Sequence, residues 1–164
     1  MIVTKAYALP KWFKSFVVSA GFLLGLTAVA KLTSSLGSQG ILQTPDPIFM
    51  LPFRHVFIVV GILELEIACT CLFCKKALLQ TALIAWLSTG FLIYRMGLLL
   101  VGYYKPCHCL GNLTDILHIP PQTADTAMKV VLGYLLIGSY AALFWIWKQG
   151  RKSTSLPQAT IAVP

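Results

Sequence analysis

Charge is what this chain of 164 residues has least of: 11% of them are Asp, Glu, Lys or Arg, and only five are acidic. A soluble domain carries roughly a quarter charged residues because its surface faces water. That scarcity excludes an ordinary soluble fold and makes lipid the expected outer solvent. Histidine is sparse as well, at three residues. No repeat of 20–50 residues and no low-complexity tract is present, which excludes solenoid and array architectures. Lys and Arg total 13, for a net charge of +8. They sit mainly at the ends of apolar runs, which points to orientation in a membrane and away from nucleic acid.

What fills the chain instead is apolar: 57% of its residues are hydrophobic. A helix needs about 20 such residues to cross a bilayer core. Four stretches qualify: Trp12–Leu32, His55–Phe73, Ala77–Tyr103 and Met128–Trp147. The expected fold is therefore all-α, an integral membrane four-helix bundle over residues 1–148 with a flexible tail over 149–164. Lys5, Lys11 and Lys14 ahead of the first run resemble a signal peptide. The run from Phe16 to Ala30 exceeds the usual length of a signal core, however, and Thr33-Ser34-Ser35-Leu36-Gly37-Ser38 offers no Ala-x-Ala site. It reads as a retained helix. Trp12, Tyr103, Tyr104, Trp145 and Trp147 fall near span ends, where amphipathic rings settle.

Eight of the 13 basic residues lie in three regions that four spans bring to one side: Lys5, Lys11 and Lys14; Lys75 and Lys76; Lys148, Arg151 and Lys152. The positive-inside rule makes that side cytoplasmic. Both termini are then inside, and the connections Gly37–Arg54 and Tyr104–Thr126 face the exterior of a multi-pass inner-membrane protein.

The exterior connection after the third span holds Lys105-Pro106-Cys107-His108-Cys109-Leu110-Gly111. Thiols outside the cytoplasm meet an oxidising compartment. Cys107 and Cys109 are close enough to join, but a ring so small is strained, and strained exposed disulfides are the labile or catalytic ones. His108 and Lys105 place positive charge where it favours a thiolate. Three uses compete: a redox-active pair, a structural disulfide or inert thiols, and a Cu(I) or zinc site with His108 or His118. Spacing, exposure and compartment favour the redox pair.

Cys107-His108-Cys109-Leu110-Gly111 resembles the Cys-Gly-Cys-Phe-Gly loop of the methylamine utilisation protein MauE family, among the DoxX-like four-helix membrane proteins. Ala30-Lys31-Leu32 is similar to that family's Lys-Leu ending of span one, and Gly61-Ile62-Leu63-Glu64 to its Gly-x-x-Glu in span two. The resemblance covers about Phe16–Trp147, with His108 and Leu110 differing and Pro106 replacing a frequent acid. It implies a role in maturing an exported, disulfide-rich dehydrogenase subunit beside a periplasmic thioredoxin-like partner.

Glu64, Glu66 and Arg95 fall inside the expected spans, where charges are costly and pair or face the bundle interior. Counted from His55 and Tyr103, Glu64 and Arg95 lie about 14 and 12 Å from the exterior at 1.5 Å per residue. They are expected to pair. Glu66, on another face, is left to be protonated or to meet Lys31 or a polar residue of another span. The carboxylates could instead relay protons or hold a quinone headgroup; a transporter role lacks the inverted repeat common in such folds. Cys69, Cys71 and Cys74 are about 30 Å from Cys107, a full membrane thickness. They read as packing residues or a palmitoylation site, not as a relay.

Overall fold

The computed structural model describes residues 10–37, 40–102 and 120–154. Among them are four long helices and no strand: α1 Lys11–Ser35, α2 Phe53–Phe73, α3 Ala77–Leu100 and α4 Pro121–Thr154. All four are long and apolar enough to cross a membrane. The expected all-α bundle of four spans is the observed architecture, that of a multi-pass membrane protein. Large side chains such as Phe22, Val59, Trp86, Ile93 and Ile137 face outward, as a lipid-facing surface requires.

Helix bounds match the sequence expectation at Phe73 and Ala77 and differ at the other six ends. Pro52 precedes α2, which starts two residues before His55. Gly102, at φ 75°, stands just beyond the end of α3, so that helix stops at Leu100 rather than Tyr103. A glycine in the left-handed region is the common way to end a helix. Helix α4 begins at Pro121, seven residues ahead of Met128, and continues to Thr154, into the stretch expected to be a mobile tail.

Helices α1 and α2 pack closest. The buried side of α2, Gly61, Glu64, Ile67, Ala68 and Cys71, recurs at three- and four-residue steps and so forms one stripe. Opposite it stand Gly21, Gly25 and Ala28 of α1. A Cβ at Gly21 would lie 3.0 Å from Cys71 Cβ, and one at Gly61 would lie 3.0 Å from Leu32 Cγ. Small residues let two backbones approach where no hydrophobic effect drives association in lipid. The spacing Gly21-x-x-x-Gly25 belongs to this class, a signal the sequence reading passed over.

Helix α1 is the hub: half of its apolar window is buried, against 17% for α4. Phe16 lies directly over Gly138 of α4, Ser19 Oγ and Tyr134 Oη share a hydrogen bond of 2.7 Å, and Trp12 meets Trp145 edge to face. Helix α3 pairs with α4, partly through a 2.9 Å bond between Thr89 Oγ1 and Tyr140 Oη. Buried hydroxyls of Thr81, Ser88 and Ser139 donate to carbonyls three or four residues back. In a medium without water, that satisfies them within their own helix.

The bundle thus has two distinct ends. At one, the turn end, Cys74-Lys75-Lys76 joins α2 to α3, and the buried amide of Gln80 closes the turn. Its Nε2 donates to the carbonyls of Cys71 and Cys74 at 3.0 and 2.6 Å, groups the end of α2 leaves without helical partners. The start of α1 and the end of α4 share this end. The other, the loop end, carries the 36–52 connection and the two ends of the connection between α3 and α4.

Gly21→Ala is expected to force the α1 and α2 backbones apart, at a cost of about 1–3 kcal/mol. Gly25→Ala, whose Cβ would stand 3.8 Å from Ala68 Cβ, should be neutral or slightly stabilising. Reversible unfolding of the two variants in mixed micelles separates these outcomes; equal effects would show that the approach at Gly21 is not what sets the helix spacing.

Candidate functional site

The ion pairs of the described residues lie toward the loop end. Deepest is an ion pair: Lys31 Nζ lies 2.6 Å from Glu64 Oε1, between α1 and α2. Lys31 retains 5% of its surface and Glu64 1%. Phe91 of α3 brings its ring centroid 5.4 Å from the Lys31 ammonium, so the cation touches three helices. Thr27, one turn before Lys31, donates its hydroxyl to Leu24 O at 3.0 Å. Glu64 Oε2 is buried with no hydrogen-bond partner among the described residues. A charge this far from water is tolerated because its partner is at contact distance.

This arrangement corrects the expected Glu64–Arg95 pair. With the observed bounds, Glu64 lies 11 residues inside α2 and Arg95 five residues inside α3. At 1.5 Å per residue those are about 16 and 8 Å, and the two are no longer level. Their faces differ too, because the stripe bearing Glu64 packs on α1. Arg95 instead reaches α4, with Nη2 at 2.5 Å from Asp125 Oδ1. Lys129 Nζ holds the other oxygen of Asp125 at 2.7 Å, one helical turn on. Glu66 does not meet Lys31; it is exposed on the outer side of α2.

Asp46 is a further polar residue that sequence reasoning missed. It lies in the 36–52 connection and is fully buried. Its Oδ1 accepts from the backbone N–H groups of Ile48 and Phe49 at 2.8 and 3.0 Å. Its Oδ2 accepts from the Tyr94 hydroxyl of α3. Phe49 stacks on the Tyr94 ring, and Ile48 packs against Gly97. Met50, at φ 56°, completes the turn by donating its N–H to Asp46 O at 2.9 Å. Residues 44–52 are therefore folded down on the loop end of α3 as a compact cap. Thr44-Pro45-Asp46-Pro47 was the available signal: Asp between prolines favours a turn closed by its own carboxylate.

Cys107, His108 and Cys109 lie outside the described residues, as do Lys105 and His118. What the structure supplies is the frame: Gly102 and Pro120, the described ends of that connection, follow α3 and precede α4 at the loop end. Among the described residues no group of His, Cys, Asp or Glu is arranged to hold a metal ion. Cys69, Cys71 and Cys74 are free thiols at the turn end. Cys71 is packed against Gly21, the packing role expected of it.

Lys31→Met should leave the Glu64 carboxylate buried without its cation and cost about 3–5 kcal/mol, as should Glu64→Leu. The double variant is expected to recover most of that loss, since an apolar pair of similar volume needs no partner. A thermodynamic cycle in mixed micelles checks this; additive losses would mean that each side chain acts alone.

No family model, curated protein or solved structure matches the chain, so its own residues carry the functional reading.

Proposed function

We propose that this chain is an inner-membrane protein with both ends in the cytoplasm, which exchanges thiols and disulfides with an exported partner through Cys107 and Cys109. The observation that carries this reading is the Cys107-His108-Cys109 spacing within the connection between α3 and α4. Support for its exterior position comes from charge. Lys11, Lys14, Lys75, Lys76, Lys148 and Arg151 belong to the turn end, whereas at the loop end Arg95 and Lys129 are both engaged by Asp125 and, of the described cations there, Arg54 alone has no carboxylate, donating instead to Gly37 O. The free positive charge thus collects at the turn end, the side expected to stay cytoplasmic.

In the exchange, a partner thiolate attacks one sulfur of a Cys107–Cys109 disulfide, and the leaving sulfur departs as a thiolate. Positive charge on His108 or Lys105 stabilises that thiolate. A second partner thiolate then attacks the mixed disulfide, so the partner leaves oxidised and the cysteine pair is left reduced by two electrons. The reverse sequence reduces the partner. The bundle contributes position: its paired polar groups and the Asp46 cap give the connection a rigid frame at the membrane surface. The partner class is a periplasmic thioredoxin-like or disulfide-rich protein, in keeping with the resemblance to the MauE family. A quinone does not fit the Lys31–Glu64 pair, because both side chains are closed in by α1, α2 and Phe91.

Cys107→Ser is expected to trap a mixed disulfide through Cys109, visible as a band that reductant releases, and to abolish oxidation or reduction of the partner. If this variant traps nothing and the partner matures normally, the chain is a non-catalytic assembly factor whose cysteines only staple a loop.

A further inference from the structure

The turn end of α4 presents an outward stripe whose one described polar contact with another helix is the Tyr140 hydroxyl on Thr89 of α3. Tyr140, Leu143, Phe144 and Trp147 line an open apolar groove. Tyr140, Phe144, Trp147 and Arg151 follow one another at four-, three- and four-residue steps, which keeps them on one face. The rings of Phe144 and Trp147 lie 5.8 Å apart. Above them the Arg151 guanidinium carbon stands 3.9 Å from the centroid of the Trp147 ring. A guanidinium stacked on an indole keeps its N–H donors in its own plane, free for a second partner. Lys148 comes four residues after Phe144 and three before Arg151, so a second cation borders the same stripe. Both cations are exposed. Neither has a carboxylate partner among the described residues, and α4 has no acidic residue after Asp125.

We propose that this groove is a binding site for an anionic phospholipid. Its acyl chains lie along Tyr140, Phe144 and Trp147, and its phosphate oxygens take the in-plane N–H groups of Arg151 and the ammonium of Lys148. Charge complementarity selects this occupant. An apolar trough that ends in two unneutralised cations matches an amphiphile whose apolar and anionic parts are joined in that order. A free phosphate would leave the aromatic trough unused, and the choline ammonium of a zwitterionic lipid would be repelled by the same two cations. Arg supplies bidentate geometry to the phosphate, whereas Lys acts as a point charge.

The test uses the full chain in vesicles of phosphatidylcholine containing phosphatidylglycerol with brominated tails, which quench nearby indoles. Brominated phosphatidylcholine serves as the matched control. The expected result is roughly tenfold or greater preference for phosphatidylglycerol, given two cations at a membrane surface. Trp147→Phe should remove the selective component of the quenching. Lys148→Gln together with Arg151→Gln should abolish the preference. Lys75→Gln with Lys76→Gln, which removes two cations from the same end but away from the groove, should keep it. Helix content by circular dichroism confirms that each variant is folded. Equal quenching by the two lipids overturns the proposal. So does a Lys75/Lys76 variant that loses as much as the Lys148/Arg151 variant, because attraction would then be diffuse. Displacement of the lipid by millimolar inorganic phosphate also overturns it, since a free anion would suffice.

Discussion

The contact between α1 and α2 is the constraint on which the rest of the bundle depends. Lipid offers no hydrophobic gain when two helices meet, so association rests on close packing and on polar groups that must find each other. Gly21, Gly25 and Gly61 permit the approach, and the Lys31–Glu64 pair makes one register the favourable one. A slip of one turn would separate the ammonium from the carboxylate and leave two charges without partners in lipid. Because Phe91 covers the ammonium, the same pair also sets where α3 lies.

From that hub the second pair of helices is attached by smaller contacts: Phe16 on Gly138, Trp12 against Trp145, and the Gln80 amide across the short turn. The two ends of the molecule consequently have different chemistry. The turn end is basic, aromatic and open toward lipid. The loop end is held by internal polar bonds, with Asp46 binding its own loop to Tyr94 and Asp125 binding Arg95 and Lys129. Thiol exchange at a membrane surface needs a reactive segment presented from something that does not yield. In the proposed exchange the loop end would present that segment.

Much of the fold was legible because length and hydropathy alone mark a membrane span. The four helices follow from runs such as His55–Phe73, whose expected and observed limits differ by two residues. Partner choice was not legible in the same way. The Glu64–Arg95 expectation rested on counting depth from His55 and Tyr103, and Gly102 ends α3 before that second reference point. An error of a few residues at each helix end shifts depth by several ångströms, more than an ion pair tolerates. Lys31 was recognised within a motif but was offered to Glu66, because the rotation of α2 against α1 depends on glycines whose packing role went unread. Asp46 and Asp125 lie outside the expected spans, where a carboxylate draws no notice until the fold brings Tyr94 or Arg95 to it. The Cys107-His108-Cys109 reading rests on residue spacing and compartment, which a sequence displays directly.

The sidedness of Cys107 and Cys109 tests the central claim most directly. Intact cells would be treated with a membrane-impermeant phosphine and then with an impermeant maleimide, in a chain whose other cysteines are replaced by serine. Labelling of positions 107 and 109 without permeabilisation is the predicted result. Labelling only after the membrane is opened would put this segment in the cytoplasm, reverse the orientation and remove the basis for disulfide exchange with an exported partner.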